Sequence, residues 1–164
     1  MQTRQEIQVI MKNEKDLYLF KSHWLDCCII RHWGHLNGYV AVPKESELYW
    51  MGYHYSDWGE EKLSQIEKQI NDIRVHGGLT FADKMNSVSS DKHNFDRCFG
   101  FDTAHAWDAF IIPNLPSHLD LIAFEYGEYR DYNYVKAEVE SLAEQLHDII
   151  YPDKTQWKQL QPYS

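Results

Sequence analysis

Between Val75 and Asp108 the chain concentrates residue types that hold ligands or move protons. Val75-His76-Gly77-Gly78-Leu79-Thr80 sets an imidazole directly before paired glycines. Glycine lacks a Cβ and tolerates positive φ, so a ligand can lie against bare backbone amides there. The same pair also fits a plain helix stop with His76 packed nearby. Further on, Phe99-Gly100-Phe101-Asp102-Thr103-Ala104-His105-Ala106-Trp107-Asp108 has the look of a strand ending in a carboxylate, with His105 and Asp108 at short intervals behind it. If the chain bends after Asp102, two carboxylates and an imidazole converge on one cavity, which suits metal ligation or general acid–base work. Asp102 equally suits a turn acceptor, and His105 an ordinary hydrogen-bonded histidine.

The expected site is therefore a pocket where the two segments meet, with His76, Gly77, Gly78, Asp102, His105 and Asp108 as its ligand-binding residues. Its first reading is a binding module for a small polar molecule, such as a nucleotide or signal. The second is a metal-dependent hydrolase acting on a phosphorylated small molecule, with a divalent cation as cofactor and Asp102 and His105 as its first ligands. No catalytic residue is assigned. His23, His32, His35 and His54 are scattered among Trp24, Trp33, Trp50 and Trp58 and are not included in the site. The chain contains no G-x-x-x-x-G-K-[ST], G-x-G-x-x-G, G-x-S-x-G or H-E-x-x-H, which disfavours P-loop NTPases, Rossmann dehydrogenases, α/β-hydrolases and zincins.

Charge narrows the partners. With 16 Lys and Arg against 25 Asp and Glu, the net charge is −9. Affinity for a phosphate backbone comes from counterion release by cationic side chains, so direct nucleic-acid binding is not expected. An acidic surface can instead occupy a basic groove on a host protein, which makes an interaction module the third reading, or it can serve solubility alone. Cys27, Cys28 and Cys98 are odd in number and lack zinc spacing, so a reducing, cytoplasmic setting is expected. The polar start and the absence of a long apolar run predict neither secretion nor a membrane span.

The 164 residues fit one α+β domain, residues 1–164, with a peripheral tail after about 151. Ile7, Val9 and Met11 alternate with polar residues and predict a first strand over Glu6–Met11. Leu17–Phe20, then Cys27–Trp33 and Tyr39–Pro43 around Gly34–Gly38, predict a further strand and a hairpin. Leu63, Ile66, Ile70 and Ile73 mark a helix, with a capping box at Asp57 and Glu60 and a stop at Gly77 or Gly78. Leu79–Phe81 and Cys98–Asp102 read as strands on either side of a polar loop over Lys84–Asp96, and Leu121–Phe124 as a short strand or turn. Val135, Val139, Leu142, Leu146 and Ile149 form the clearest helical stripe, N-capped by Asp131. Two main helices on an antiparallel or mixed sheet follow, with the Asp102–His105 end left at a rim.

The order of the blocks Gly38–Pro43, Val75–Thr80, Gly100–His105 with Asp108, and Tyr134–Ala143 resembles a family of short proteins encoded in bacterial chromosomes, prophages and phages, marked by VHGGLT and GFDxAH-type motifs. The resemblance spans residues 34 to 147. The family pattern carries a histidine shortly after the Val-Pro dipeptide, where this chain reads Lys44-Glu45-Ser46-Glu47-Leu48-Tyr49, so no catalytic histidine is expected in that segment. The resemblance implies no mechanism. It implies a phage-type accessory protein, for which interference with a host process is the expected role.

Overall fold

The computed structural model describes residues 2–51, 65–88, 93–123 and 127–153. Its first element corrects the sequence reading, because Arg4–Lys12 is a helix, α1, and not a strand. Thr3 Oγ1 accepts from the Glu6 amide while the Glu6 carboxylate accepts from the Thr3 amide, a reciprocal capping box that starts the helix. Ile7 is buried and Ile10 and Met11 pack on the same small cluster, whereas Val9 is exposed. Ile7, Ile10 and Met11 form the i, i+3, i+4 face of a helix, so Ile10, an apolar residue out of step with the alternation of Ile7, Val9 and Met11, carries the true period.

Strands β1 (Leu17–Ser22), β2 (Leu25–His32) and β3 (His35–Ala41) follow as an antiparallel meander. Both turns are two-residue loops with positive φ, 50° and 68° at His23 and Trp24, then 51° and 88° at Trp33 and Gly34. That hand matches the twist of the flanking strands. The second hairpin thus turns at Trp33-Gly34, and Gly38 lies inside β3. A Cβ on Gly38 would run into Val139 Cγ2 of the carboxy-terminal helix, so glycine is what admits that helix to the sheet.

A short 3-10 turn over Glu47–Trp50 comes next, then helix α2 (Gln65–Asn71). Leu63 and the Asp57–Glu60 capping box lie outside the described residues. The described helix ends well before Gly77, yet its Ile70 and the following Ile73 are buried and Ile66 packs beside them. Strand β4 (Phe81–Asp83) begins two residues later than the Leu79 start read from sequence, and β5 (Cys98–Phe101) closes a five-stranded antiparallel sheet in the order β1-β2-β3-β5-β4. Strands β6 (Ala109–Ile111) and β7 (Leu121–Ala123) form a separate pair, and α3 (Tyr132–Ile150) ends the described fold. Trp157 and Leu160 lie outside the described residues.

The protein is an α+β domain with both faces of the main sheet covered. Leu25, Cys27, Ile29, Leu36, Val40, Phe99 and Phe101 share one face and meet Val135, Val139, Leu142 and Leu146 of α3. Cys28, Tyr39, Ala41 and Cys98 share the other, closed by Met85, Val88 and Phe95 from the loop before β5. Helix α1 sits against β6 and β7, where Arg4 grips Asp120 with two hydrogen bonds of 2.8 and 2.6 Å. Among the described residues no helix is long and apolar enough to cross a membrane.

Two outcomes follow from this packing. Leu142 is fully buried on the sheet side of α3, so Leu142→Ala should lower stability by about 2 to 5 kcal/mol in urea unfolding, through lost burial and the cavity left behind. Hydrogen bonding to Arg4 holds the Asp120 carboxyl below its ordinary value. A group with a depressed folded-state pKa adds stability above the unfolded value, about 4, and loses it as pH falls through the folded one. Asp120→Asn should therefore flatten the acid limb of a stability-versus-pH curve and leave the neutral-to-alkaline limb parallel to that of the parent protein.

Candidate metal and ligand site

Two turns come together at the end of the sheet. In the first, His76-Gly77-Gly78, the Gly78 amide donates to Val75 O at 2.9 Å and both glycines have positive φ, 68° and 82°. In the second, after β5, buried Thr103 donates from Oγ1 to Leu36 O on β3 at 2.9 Å and anchors the bend. Asp102 Oδ1 accepts from the Ala104 amide at 3.0 Å, a local turn that aims the following residues back across the rim. The Asp108 amide then donates to His105 O at 3.0 Å, so His105 and Asp108 face each other across one tight turn.

Asp108 is the centre of the site. Its Oδ2 lies 2.8 Å from His76 Nε2, 2.9 Å from the His105 amide and 3.2 Å from His105 Nδ1, while Oδ1 accepts from Arg130 Nε at 2.8 Å. Burial alone would raise its pKa, but the hydrogen bonds from His76, Arg130 and the His105 amide outweigh that and lower it to about 2. An ionised carboxylate accepts only, so the His76 proton sits on Nε2 and Nδ1 is left to accept from Tyr134 Oη, 2.7 Å away. Burial and the nearby Glu138 charge raise the Tyr134 phenol above its ordinary value, which keeps that proton available to His76. Glu138 also accepts from the His76 amide at 3.2 Å.

Arg130 completes the ring of partners. Its Nη1 donates to Glu128 at 3.1 Å, its Nη2 to Trp107 O at 3.3 Å, and its guanidinium lies over the Tyr134 ring at 4.8 Å. Around the histidines, the Trp107 indole stacks on the His105 ring with centroids 5.0 Å apart and planes within 6°. The other edge of His105 packs on bare Gly77, where a Cβ would collide with the imidazole.

His76, Gly77, His105 and Asp108 are therefore in direct contact. Gly78 adjoins them with open space where a side chain would stand. Asp102 stands slightly apart, its Oδ1 3.7 Å from His105 Nδ1 and already bonded to Ala104. Of the His/Cys/Asp/Glu side chains described, His76, His105 and Asp108 are the set whose donor atoms all lie within 4.8 Å of one another. Asp108, rather than Asp102, is the carboxylate that joins the histidines. Sequence reasoning missed Arg130, which precedes the N-cap Asp131, and the roles of Tyr134 and Glu138, whose i, i+4 spacing on α3 was available to find them.

No family model, curated protein or solved structure matches the chain. The site is thus read from its own geometry. A cavity of about 360 Å³ lined by Pro43, Glu45, Leu48, Ile149 and Tyr151 shares no residue with it and sits past the other end of β3, lacking any histidine or cationic group.

The two glycines can be told apart by experiment. Alanine at either position adopts a left-handed backbone at a cost of about 1 to 2 kcal/mol, but only at Gly77 does the new methyl also displace His105. Gly77→Ala should be the more destabilising in urea unfolding, and it alone should shift the His105 imidazole resonances.

Proposed function

We propose that the protein holds a divalent cation between His76, His105 and Asp108 and uses it to bind and hydrolyse a phosphorylated small molecule. The observation that carries this reading is the aim of two imidazole nitrogens at one carboxylate oxygen. Asp108 Oδ2 has room for two donors at its lone pairs, and the His105 amide takes one of them. A cation in place of the imidazole protons would satisfy all three side chains. Three protein ligands with mixed nitrogen and oxygen donors suit Zn²⁺ or Mn²⁺ and leave a coordination position for water or substrate. In that arrangement the single His76 proton moves from Nε2 to Nδ1 and is donated to Tyr134 Oη, the outer hydrogen bond that fixes a ligating imidazole.

Charge favours a cation over a directly bound anion. Asp102, Asp108, Glu128 and Glu138 stand around the junction, and Arg130 is already committed to Asp108 and Glu128. A phosphate meets net repulsion there unless a metal comes between. Hydrolysis would form a bond from water oxygen to phosphorus and break the phosphorus–oxygen ester bond, and the departing alkoxide takes up a proton. A cation held by His76, His105 and Asp108 would supply acidification of the attacking water. A binding module without turnover shares this site and differs only in the last step. A phage-type accessory role against a host process is compatible with either outcome.

Titration of the metal-free protein with Mn²⁺ or Zn²⁺ by calorimetry should show one tight site per chain. A ligand present at a hundred times its dissociation constant should raise stability by about 2.7 kcal/mol. His105→Ala and Asp108→Asn should each weaken metal affinity at least ten-fold, and a phosphomonoester panel should show turnover only with metal. A parent protein that takes up no divalent ion overturns the reading. Tight metal and ligand binding without turnover reduces it to the binding module.

A further inference from the structure

Trp107 has no role in the metal set, yet it is the most exposed large side chain touching it. Its indole is 49 % exposed although one face is laid flat on His105. It also meets His76 edge-on, with centroids 6.1 Å apart. Its carbonyl is held twice, since Trp107 O accepts from the Glu128 amide at 3.1 Å and from Arg130 Nη2 at 3.3 Å. The ring is thus a rigid platform, one indole thickness from a metal-ligating imidazole, with apolar area left in water.

We infer that the substrate is a nucleoside phosphate, or a close relative with a planar heteroaromatic ring, whose base stacks on the outer face of Trp107 while its phosphate reaches the cation at His76, His105 and Asp108. This rests on the metal reading above and adds the class of substrate. A flat π-face is recognised by any base, so the platform selects for a ring without choosing among bases. At Gly78, one residue beyond the glycine that packs on His105, no atom stands within 4 Å of where a Cβ would be, so the rim is unobstructed at that point. The chain's net charge of −9 and the carboxylates around the junction point to a free nucleotide whose phosphate is metal-bound, since a polymer would need a cationic track.

The test compares adenosine 5′-monophosphate with ribose 5-phosphate on protein saturated with Mn²⁺, by calorimetry. The base should tighten binding roughly ten-fold or more, in line with base–aromatic stacking. Trp107→Leu should abolish that advantage, so that the two phosphates bind alike to variant protein whose Mn²⁺ occupancy is set by titration with the metal alone. Trp107→Phe, which keeps a ring, should retain most of it. Equal affinities for the two phosphates, or a preference that survives in Trp107→Leu, overturn the inference while leaving the metal reading intact. A parent protein that takes up no Mn²⁺ overturns this inference together with the metal reading on which it rests.

Discussion

The site is organised by the burial of one charge. Asp108 is completely enclosed, and taking a carboxylate out of water costs several kcal/mol unless strong donors replace the solvent. Three donors do so, from three parts of the chain: His76, the His105 amide and Arg130. Each must reach Asp108 at hydrogen-bond distance, which fixes the turn before β4, the turn after β5 and the segment leading into α3 relative to one another. Removing a single donor leaves the charge partly uncompensated, so the geometry tolerates little drift.

That segment before α3 is held independently by a second buried charge. Glu14 accepts from Arg31 at 3.0 Å, from the Tyr129 hydroxyl at 2.6 Å and from the Tyr132 amide at 2.6 Å, while Tyr129 Oη accepts from Arg31 at 2.8 Å. The end of α1, strand β2 and the start of α3 meet in this network. Arg130 lies between two residues so anchored, and Glu128 pairs as a bridge with Asp108 itself. Arg130 therefore reaches the carboxylate from a backbone already placed, which leaves only its side-chain torsions to be ordered in forming the pair.

Local chemistry was legible in the sequence where one residue type has few uses. Paired glycines after His76 and a carboxylate at the end of β5 marked both turns, and the apolar stripe of α3 with its Asp131 cap was plain. Two kinds of signal were not. The α1 helix hid because Ile7, Val9 and Met11 mimic period two, and only the packing of half-buried Ile10 beside Ile7 separates the periods. Arg130 and Glu14 hid because a charged residue in isolation gives no sign of its partner. Ion pairs such as Arg31–Glu14 and Arg130–Asp108 span 17 and 22 positions, and nothing in the spacing encodes them. Asp102 attracted notice for the same reason that it is a good turn former: a short carboxylate after a strand serves its own backbone as readily as a ligand.

Helix α3 ties these levels together. Val135, Val139 and Leu142 face the sheet, and Val139 lies against Gly38, so the rotation of the helix about its axis is set by core packing. Tyr134 and Glu138 precede Val135 and Val139 by one residue each, about 100° around the helix, and both reach His76, one through the ring and one through the amide. The apolar stripe that buries α3 thereby decides which polar stripe meets the site. A helix slipped by one residue, so that Tyr134 and Glu138 took the core places of Val135 and Val139, would turn Asn133 and Ala137 toward His76 and lose both functions at once. The rim chemistry is thus specified by the same register that specifies the core, although none of the site's polar atoms belongs to that core.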